Sequence, residues 1–350
     1  MIKGILSALI AAVVFFAAGG ISAAILGTKE GAYSMWFNEF EELDRSLLNT
    51  TVTGGDSWEF DGHKAIKLGS SSIKMRVEPA DGDKITVSVS TESRRVHVSV
   101  SESENGEEMA ISVGYGSMFS FFGFFWSDAE AVIGLPKAVY EKLEAELGSG
   151  TMAIKDISAK ENIFDVGSGK LEFSQSAEFT AERISLDMGS GSANVNGDAN
   201  DISLEISSGS ANVKGSAKNL RLDIGSGSVT MDTAKTEKFD IGMGSGKFEV
   251  KGLSGSGEID VSSGKGSAYF TDAGEIGGSE FNLSSGNLTV YLPADTNAEI
   301  NGDVSSGSIV VDCCGTDEKI RDEERVVLGS GGAKISADVS SGKMSFLENS

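Results

Sequence analysis

The sequence contains few of the residues from which catalytic and cross-linked sites are usually built. Among 350 residues there are two histidines, His63 and His97, and two cysteines, Cys313 and Cys314. Because the cysteines are adjacent, a disulfide framework is excluded, and two packed thiols are favoured over a strained bond between neighbours. The sequence has no Cys/His metal spacing, no phosphate-binding glycine loop and no unique nucleophile–base set. We therefore predict no catalytic residue, no firmly bound cofactor and no enzymatic activity.

Positive charge is also scarce, since 29 Lys and Arg residues stand against 52 Asp and Glu residues and the formal net charge is −23. Nucleic-acid binding requires stripes of Lys and Arg, so nucleic acid is excluded as a partner. Docking on an anionic lipid surface is disfavoured for the same reason. A carbohydrate-active β-helix enzyme is the least favoured alternative, because such enzymes hold acidic polysaccharides with basic residues.

One long hydrophobic run exists, at the N-terminus, where residues 4–27 are uncharged and mostly apolar. A bilayer core requires about 20 helical residues, whereas the apolar core of a signal peptide has about 7–15. A retained transmembrane helix is therefore favoured, and a cleaved signal peptide stays the alternative. Lys3 precedes the run and acidic residues follow it. The expected location is the bacterial cell membrane, single-pass with the bulk of the chain outside, or secreted if the signal is cleaved.

A three-residue box, Gly or Ser followed by Ser and Gly, recurs eleven times, mostly 18 to 24 residues apart. Positions −4, −2, +3 and +5 from the central serine are apolar in 42 of 44 cases, the exceptions being Gly266 and Gly302. This is the two-residue period of half-buried strands, and a flexible linker would show no such phase. We predict an all-β fold: a parallel β-solenoid of about ten coils behind one N-terminal transmembrane helix.

Each box is expected to form a corner between two strands. The central serine shares the parity of the apolar residues, so its hydroxyl is expected to point inward and bond to neighbouring coils. The glycine that follows is expected at positive φ or in a bulge. The predicted corner serines are Ser149, Ser168, Ser190, Ser208, Ser226, Ser245, Ser263, Ser285, Ser306, Ser330 and Ser341.

A weaker copy of the box, at Ser70, is predicted to be the first coil. Alternating stretches at 85–89, 96–100 and 109–113 follow it and predict a β-meander that extends or caps the first sheet. The expected divisions are 1–27 for the anchor or signal peptide and 28–60 for an acidic juxtamembrane stalk, with a short helix at 35–48. Residues 61–142 hold the first coil, the meander and an aromatic loop, and 143–350 the repeat solenoid.

The segments AVIGLP at 131–136, YEKL at 140–143 and LGSG at 147–150, with the recurring Ser-Ser-Gly corners, carry a resemblance to a known family. They resemble a bacterial family of unknown function that is labelled "putative adhesin". The resemblance covers about residues 60–347. It implies a β-helical protein of the cell envelope, often with an N-terminal membrane segment, and implies no known reaction.

A dense aromatic run lies inside the inserted region. One interpretation is a plug over the open end of the solenoid core; the other is a loop that contacts a partner or the bilayer, because an exposed apolar patch of this size is unusual on a monomer. The run contains Met118, Phe119, Phe121, Phe122, Phe124, Phe125 and Trp126.

An acidic register lies three residues before most of the central serines, at an outward position. Carboxylates on adjacent coils would be about 4.8 Å apart, which costs about 0.9 kcal/mol per contact in water. This repulsion is expected to be relieved by solvent, by salt and by four lysines across the corner: Lys170, Lys247, Lys265 and Lys343. The alternative is a ladder of weak calcium sites. Its ligands would be Glu146, Asp165, Asp187, Glu205 and Asp223, and the register continues at Asp260, Asp303 and Asp338.

The sequence therefore predicts a non-enzymatic envelope protein that presents a rigid acidic surface for adhesion or binding. Its partner would be an envelope or membrane protein, or a surface polymer. The alternative is a membrane-associated scaffold or sensor that acts through the aromatic loop.

Overall fold

The structure is a computed structural model that describes residues 43–92, 95–115, 129–272, 274, 276–321 and 323–349. These residues form 28 β-strands in one continuous hydrogen-bonded sheet, and most neighbouring strands are parallel. In this part of the chain, no helix is long and apolar enough to cross a membrane. The predicted transmembrane helix at 1–27 lies outside the described residues, as does the predicted stalk before residue 43.

The repeat region folds into two faces that meet at the glycine–serine corners. Its strands are β9 (Val139–Leu147), β10 (Thr151–Ile154), β11 (Ser158–Val166), β12 (Lys170–Ser174), β13 (Thr180–Met188), β14 (Ser192–Asn196), β15 (Asp198–Ile206), β16 (Ser210–Lys214), β17 (Ala217–Ile224), β18 (Ser228–Met243), β19 (Lys247–Val261), β20 (Lys265–Phe270), β21 (Ser279–Leu283) and β22 (Asn287–Leu292). Strands before a corner form face A and strands after it form face B; β18 and β19 run from face B into face A. Equivalent residues of successive coils pair in register, as Leu204 does with Leu222 and Val213 with Met231. The predicted parallel solenoid is confirmed.

Buried and exposed side chains alternate along each strand, and the buried ones fill the space between the two faces. Along β17, Leu222 is buried while the adjacent Asp223 is exposed. Rings from the two faces meet in this core, and the ring centroids of Phe164 on face A and Phe173 on face B are 4.8 Å apart. Each fully buried side chain of this kind contributes about 1.5–3 kcal/mol relative to an exposed one. The stacked apolar rows therefore hold the faces together.

At both glycines that depart from the apolar pattern, a large side chain from a neighbouring strand occupies the space where a side chain would be. A Cβ atom on Gly266 would lie 2.4 Å from Cζ of Phe248 in the preceding coil. A Cβ atom on Gly302 would lie 2.7 Å from Cγ2 of Ile320. These glycines make room for a neighbouring side chain and leave no gap in the core.

Additional layers precede the repeat. Their strands are β1 (Arg45–Val52), β2 (Gly55–Asp61), β3 (Ala65–Ser70), β4 (Lys74–Ala80), β5 (Lys84–Ser90), β6 (Val96–Glu102), β7 (Glu108–Tyr115) and β8 (Glu130–Pro136). The coil predicted at Ser70 is confirmed, since β3 and β4 pair in parallel with β9 and β10. It is not the end of the stack, because β7 and β8 lie beyond it, followed by the antiparallel layers β6/β5 and β1/β2.

The strands predicted at 85–89, 96–100 and 109–113 are present as β5, β6 and β7, but they do not form one meander. β6 pairs with β7 on face A, whereas β5 lies on face B and pairs with β2 and β8. The predicted stalk is wrong over its described part, because β1 and β2 together extend from Arg45 to Asp61 and form the outermost layer. Trp58 and Phe60 alternate with exposed residues on β2 and pack against the core. The predicted short helix at 35–48 is likewise replaced by β1 from Arg45 onward. The half-buried rings belong to a solenoid layer and not to an exposed linker.

The C-terminal strands do not follow sequence order in the stack, because the last two are inserted between earlier ones. They are β23 (Ala298–Val304), β24 (Ser308–Cys313), β25 (Thr316–Ile320), β26 (Glu324–Leu328), β27 (Ala333–Val339) and β28 (Lys343–Glu348). The last two strands are internal: β27 lies between β21 and β23, and β28 lies between β22 and β24. The antiparallel strands β26 and β25 then cover β23 and β24. Exposed charges on β25, including Glu318 and Lys319, protect this end from edge-to-edge pairing.

The described residues make more layers than the predicted ten coils. Because β18 and β19 each contribute a segment to both faces, the 28 strands make fifteen two-stranded layers. The box at Ser330 is not one of the corners. It forms a turn between β26 and β27, in which Gly329 and Gly331 have φ of 56° and 75°. There the backbone N–H of Ser330 donates to Oδ1 of Asn297 at 2.8 Å.

The corner serines point outward, so the predicted inward orientation is wrong. All eleven central serines are exposed. The inward position belongs to the glycine that follows: Ile224, Gly227 and Val229 are buried while Ser226 is exposed. Backbone hydrogen bonds, and not an internal ladder of hydroxyl groups, join successive corners. The N–H of Ser226 donates to the carbonyl of Ser207 in the preceding coil at 2.7 Å.

The inward glycines form a column in which successive backbones approach too closely for a side chain. A Cβ atom on Gly227 would lie 2.6 Å from the carbonyl oxygen of Gly209, and one on Gly286 would lie 2.2 Å from that of Gly264. Among the glycines that follow a central serine, only Gly331 has a positive φ. The predicted positive φ is therefore wrong for the solenoid corners, and close approach is the reason for glycine.

The two cysteines lie at the end of β24 as free thiols, as predicted. Cys313 is buried, and burial together with the adjacent Cys314 raises the pKa of its thiol to about 12. The Cys314 thiol donates to the carbonyl of Pro293 at 3.4 Å. Because the thiolate is the reactive form, this pKa leaves Cys313 unreactive at neutral pH.

Candidate functional site

The outer side of face A carries the predicted acidic register. Strand pairing places five carboxylates on consecutive layers, in the order Glu146, Asp165, Asp187, Glu205 and Asp223. Parallel strands set their spacing at about 4.8 Å. The column continues through Gly242, Asp260, Asn282, Asp338 and Asp303. The C-terminal insertion places Asp338 before Asp303, an order that the sequence does not suggest.

A lysine neutralises the first position of the register. The Nζ atom of Lys67 lies 2.8 Å from Oε1 of Glu146 and 3.2 Å from Oε1 of Glu144. Only 11% of the Lys67 side chain is exposed. Burial lowers the pKa of Lys67, but the hydrogen bonds and charges of Glu146 and Glu144 outweigh it, so the pKa is raised overall. Glu146 is thus a member of an ion-pair network rather than a free carboxylate.

The register supplies carboxylates in a row and not in a cluster. Over the ranges that the structure describes, no three His, Cys, Asp or Glu side chains lie close enough together to hold one metal ion. The calcium ladder at Glu146, Asp165, Asp187, Glu205 and Asp223 stays a prediction.

The four lysines that were expected to relieve the register lie around the corner, on face B. Lys170, Lys247, Lys265 and Lys343 are each the first residue of a face B strand or segment. Lys170 pairs with Glu172 of its own strand at 2.7 Å. Among the described residues, the other three form no ion pair. The corner therefore separates the acidic register, on face A, from a row of lysines at the start of the face B strands.

The exposed corner serines line a shallow groove along one edge of the solenoid. We call this edge, which contains the corner serines and glycines, the serine edge. The groove runs across four successive coils and ends at Lys247. Its lining includes Ser190, Ser208, Ser226 and Ser245, the serines Ser210 and Ser228 at the start of face B, and the glycines between them.

The two histidines have structural surroundings. The Nε2 atom of His63 lies 3.2 Å from Oε2 of Glu102, whose other oxygen is 2.9 Å from Arg45. The His63 side chain is 3% exposed, so it fills the N-terminal layers rather than a cleft. His97 is half-buried on β6, where it pairs with Thr51 and Gly114. In the described part of the chain, neither histidine forms a hydrogen bond to a serine, threonine or cysteine side chain, as an activated nucleophile would require.

The predicted aromatic loop, Met118 to Trp126, lies outside the described residues. The strands on either side of it are described: β7 ends at Tyr115, and β8 begins at Glu130. In the neighbouring layers, the chain turns from face A to face B at the serine edge. The end of β7 and the beginning of β8 are therefore at that edge.

The sequence matches a protein-family model described as Toastrack DUF4097 over residues 63–346. The chain belongs to this family. Membership confirms the resemblance that the AVIGLP segment and the repeated corners indicated. The Toastrack match begins at His63 and ends at Phe346, and so includes the C-terminal strand that is inserted into the stack.

Several solved structures are similar to this Toastrack chain at low identity. A crystal structure named putative adhesin, from Parabacteroides distasonis, is 13% identical, covers 85% of this chain and 97% of its own, and has a TM-score of 0.39. A putative adhesin from Parabacteroides merdae is 11% identical, with 85% and 97% coverage and a TM-score of 0.39. A putative lipid binding protein from Parabacteroides distasonis is 15% identical, with 84% and 96% coverage and a TM-score of 0.38. A comparison with curated proteins found no match.

The sequence identified these lysines only as counter-charges for the register and did not predict that they form a continuous surface. Strand pairing places Lys247, Lys265, Asn287 and Lys343 on four consecutive layers. Each of them stands two residues after a central serine, and this shared offset was the available signal. Because the last coil is inserted out of sequence order, the sequence does not show that Lys343 is next to Asn287.

Repulsion within the acidic register predicts a pH-dependent gain of stability in one variant. Burial, followed by the charges of Asp303 and Glu280, raises the pKa of Asp338. A raised carboxyl pKa stabilises the fold below the unfolded pKa of about 4, and this contribution is lost as the pH rises through the folded pKa. Asp338→Asn should therefore raise the free energy of unfolding at pH 7 by up to about 1 kcal/mol, a gain that disappears near pH 3. Urea unfolding at both pH values measures it.

A carboxylate with the opposite shift is the matched control. The hydrogen bond from Lys74, followed by burial and the charge of Arg76, leaves the pKa of Glu130 lowered overall. Glu130→Gln should therefore lower stability at pH 7, with a difference that also shrinks as the pH falls. A loss of stability in Asp338→Asn at pH 7 would contradict the repulsion argument.

Proposed function

We propose that this protein is a non-enzymatic binding protein of the bacterial cell envelope, in which a rigid acidic face holds a partner of complementary charge. The observation that carries the proposal is the alignment of Glu146, Asp165, Asp187, Glu205 and Asp223 on consecutive layers of face A, of which Glu146 is already paired with Lys67. Strand pairing fixes their spacing, so the carboxylates need little reorganisation to contact a cationic segment. A row of like charges also raises the local concentration of a cationic partner.

The proposal includes a membrane anchor at residues 1–27, with the solenoid outside the cell. The outermost layer begins with β1, so the chain enters the stack at one end. An anchor that precedes β1 would hold the solenoid by that end and leave both faces accessible. Cleavage of the same segment as a signal peptide, which would release the protein, is the alternative.

The test compares two variants of the full-length chain that lose the same charges. In the first, Asp187→Asn, Glu205→Gln and Asp223→Asn remove three adjacent carboxylates of the register. In the second, Asp83→Asn, Glu92→Gln and Glu178→Gln remove three exposed carboxylates outside it. Binding to a poly-L-lysine surface at 0.15 M salt should weaken about tenfold in the first variant, because three exposed ion pairs contribute about 1.5 kcal/mol together.

The second variant should bind as tightly as the parent if position matters more than net charge. Equal loss in the two variants would reduce the effect to overall acidity and would remove the register from the proposal. The scaffold or sensor that acts through the aromatic loop stays the alternative function; deletion of residues 118–126 followed by crosslinking in native cells tests it.

A further inference from the structure

A second charged surface, opposite in sign to the register, lies along the serine edge. Its core is the column of Lys247, Lys265, Asn287 and Lys343, whose members pair on consecutive layers and are all exposed. Neighbours in the column are about 4.8 Å apart, so the column is about 14 Å long. We call these four residues the lysine column. Three of its four members are cationic, on a chain whose net charge is −23.

Within the described residues, the lysines of this column form no ion pair; Glu249, two residues after Lys247 on the same side of the strand, pairs with Lys251 instead. Other lysines of the molecule do form ion pairs, including Lys170 with Glu172. The nearest carboxylates of the register, Asp260 and Asp338, are each five residues earlier in sequence and lie on face A. Adjacent ammonium groups repel each other, and an anionic ligand would remove that repulsion.

The groove of the serine edge leads directly into the lysine column. The residues that precede Lys247 on successive layers are Ser192, Ser210 and Ser228. The groove also contains exposed hydroxyls at Ser208, Ser226 and Ser245. In the described structure these three hydroxyls have no protein hydrogen-bond partner, so each can donate to and accept from a ligand. The column therefore continues a row of polar, uncharged contacts.

We propose that the serine edge binds a linear acidic polysaccharide. Hydroxyl groups of the sugar rings would bond to the groove serines, and carboxylate, sulfate or phosphate substituents would pair with the lysine column. Contacts recur at every layer of the solenoid, so a polymer with regularly spaced substituents can contact several layers at once. This surface is additional to the acidic register on face A, and the two have ligands of opposite charge.

The register does not prevent such binding at physiological salt. The corner places the two surfaces on different faces, and salt weakens the repulsion between a polyanion and the register, since the Debye length at 0.15 M ionic strength is about 8 Å. A polymer on the serine edge therefore interacts mainly with the lysines beside it. A compact polyanion without hydroxyl groups would use the lysine column alone, and a neutral glucan would use the serines alone. A ligand that uses the lysine column and the groove serines together must carry both negative charges and hydroxyl groups.

The experiment measures binding of three probes to the full-length chain at 0.15 M salt: polygalacturonate, inorganic polyphosphate and dextran. One variant carries Lys247→Gln, Lys265→Gln and Lys343→Gln. Its matched control carries Lys214→Gln, Lys218→Gln and Lys238→Gln, which remove the same charge from exposed positions elsewhere. A third variant carries Ser208→Ala, Ser226→Ala and Ser245→Ala, at exposed sites where no fold contact is lost.

Polygalacturonate should bind the parent more tightly than either other probe. The lysine-column variant should weaken this binding by about tenfold or more, and the matched lysine control should leave it unchanged. The serine variant should weaken polygalacturonate binding and leave polyphosphate binding unchanged. Equal losses in the two lysine variants, or an unaffected serine variant, would overturn the proposal. The face A triple variant should bind polygalacturonate at least as well as the parent, so failure here is distinguishable from failure of the acidic-face proposal.

Discussion

Replacing Phe346 with alanine should lower the free energy of unfolding by about 3–5 kcal/mol, although the residue lies close to the C-terminal end of the chain. The Phe346 side chain is fully buried, and its ring centroid lies 5.9 Å from that of Phe281. Its strand, β28, lies between β22 and β24, where Phe346 pairs with Val290 and Val311. Urea unfolding of the full-length chain measures the loss.

The adjacent residue is the matched control. Leu347 lies on the outer side of β28 and is only half-buried. Leu347→Ala should therefore cost less than about 1 kcal/mol. If Phe346→Ala were as mild as Leu347→Ala, the C-terminal strand would be a frayed end and not an internal layer. Hydrogen exchange gives an independent measurement, because the amide hydrogens of an internal strand exchange only when the surrounding sheet opens.

Placing a methyl group on Gly286 should destabilise the solenoid by about 3 kcal/mol. An added Cβ atom would lie 2.2 Å from the carbonyl oxygen and 2.9 Å from the nitrogen of Gly264, and 2.8 Å from the carbonyl carbon of Ser263. All three atoms belong to the backbone of the preceding coil, so no side-chain rotation relieves the clash. The coils would have to separate at the corner, which would lengthen the hydrogen bonds of several layers. Thermal or urea unfolding of Gly286→Ala measures the effect.

Two variants separate close approach from other effects of the substitution. A Cβ atom added to Gly54 would have no neighbouring atom within 4 Å, and Gly54 does not have a positive φ. Gly54→Ala should be neutral or stabilising by up to about 1 kcal/mol, through the unfolded chain. Ser285→Ala changes the exposed residue beside Gly286 and should have little effect on stability. Comparable losses in Gly54→Ala and Gly286→Ala would contradict the close-approach explanation.

The corners show where pattern alone is ambiguous. The apolar positions at −4, −2, +3 and +5 require one change of parity inside the box, but they do not say on which side of the serine it falls. In the structure it falls before the serine, so Gly227 is buried and Ser226 is exposed. A glycine has no side chain whose polarity could reveal its side. The distance between coils decides the matter, because the inward position touches the preceding carbonyl and excludes even a Cβ atom.

The ends of the stack were harder to predict than its middle. Alternation located β5, β6 and β7 correctly, but it could not say that β1 and β2 would add a further antiparallel layer. The last coil has the same apolar pattern as every other coil, so its sequence suits any place in the stack. Its place between β21/β22 and β23/β24 is a property of the assembled sheet edges.

The sequence by itself determined the all-β class, the two-residue period, the layer register and the outward acidic column, because each follows from side-chain alternation along the chain. Only the tertiary structure decided the inward glycine column, the insertion of the last coil and the separation of the register from the lysine column. These features depend on which atoms of distant coils come together. The separation arises because the corner turns residues five positions apart, such as Asp260 and Lys265, onto different faces.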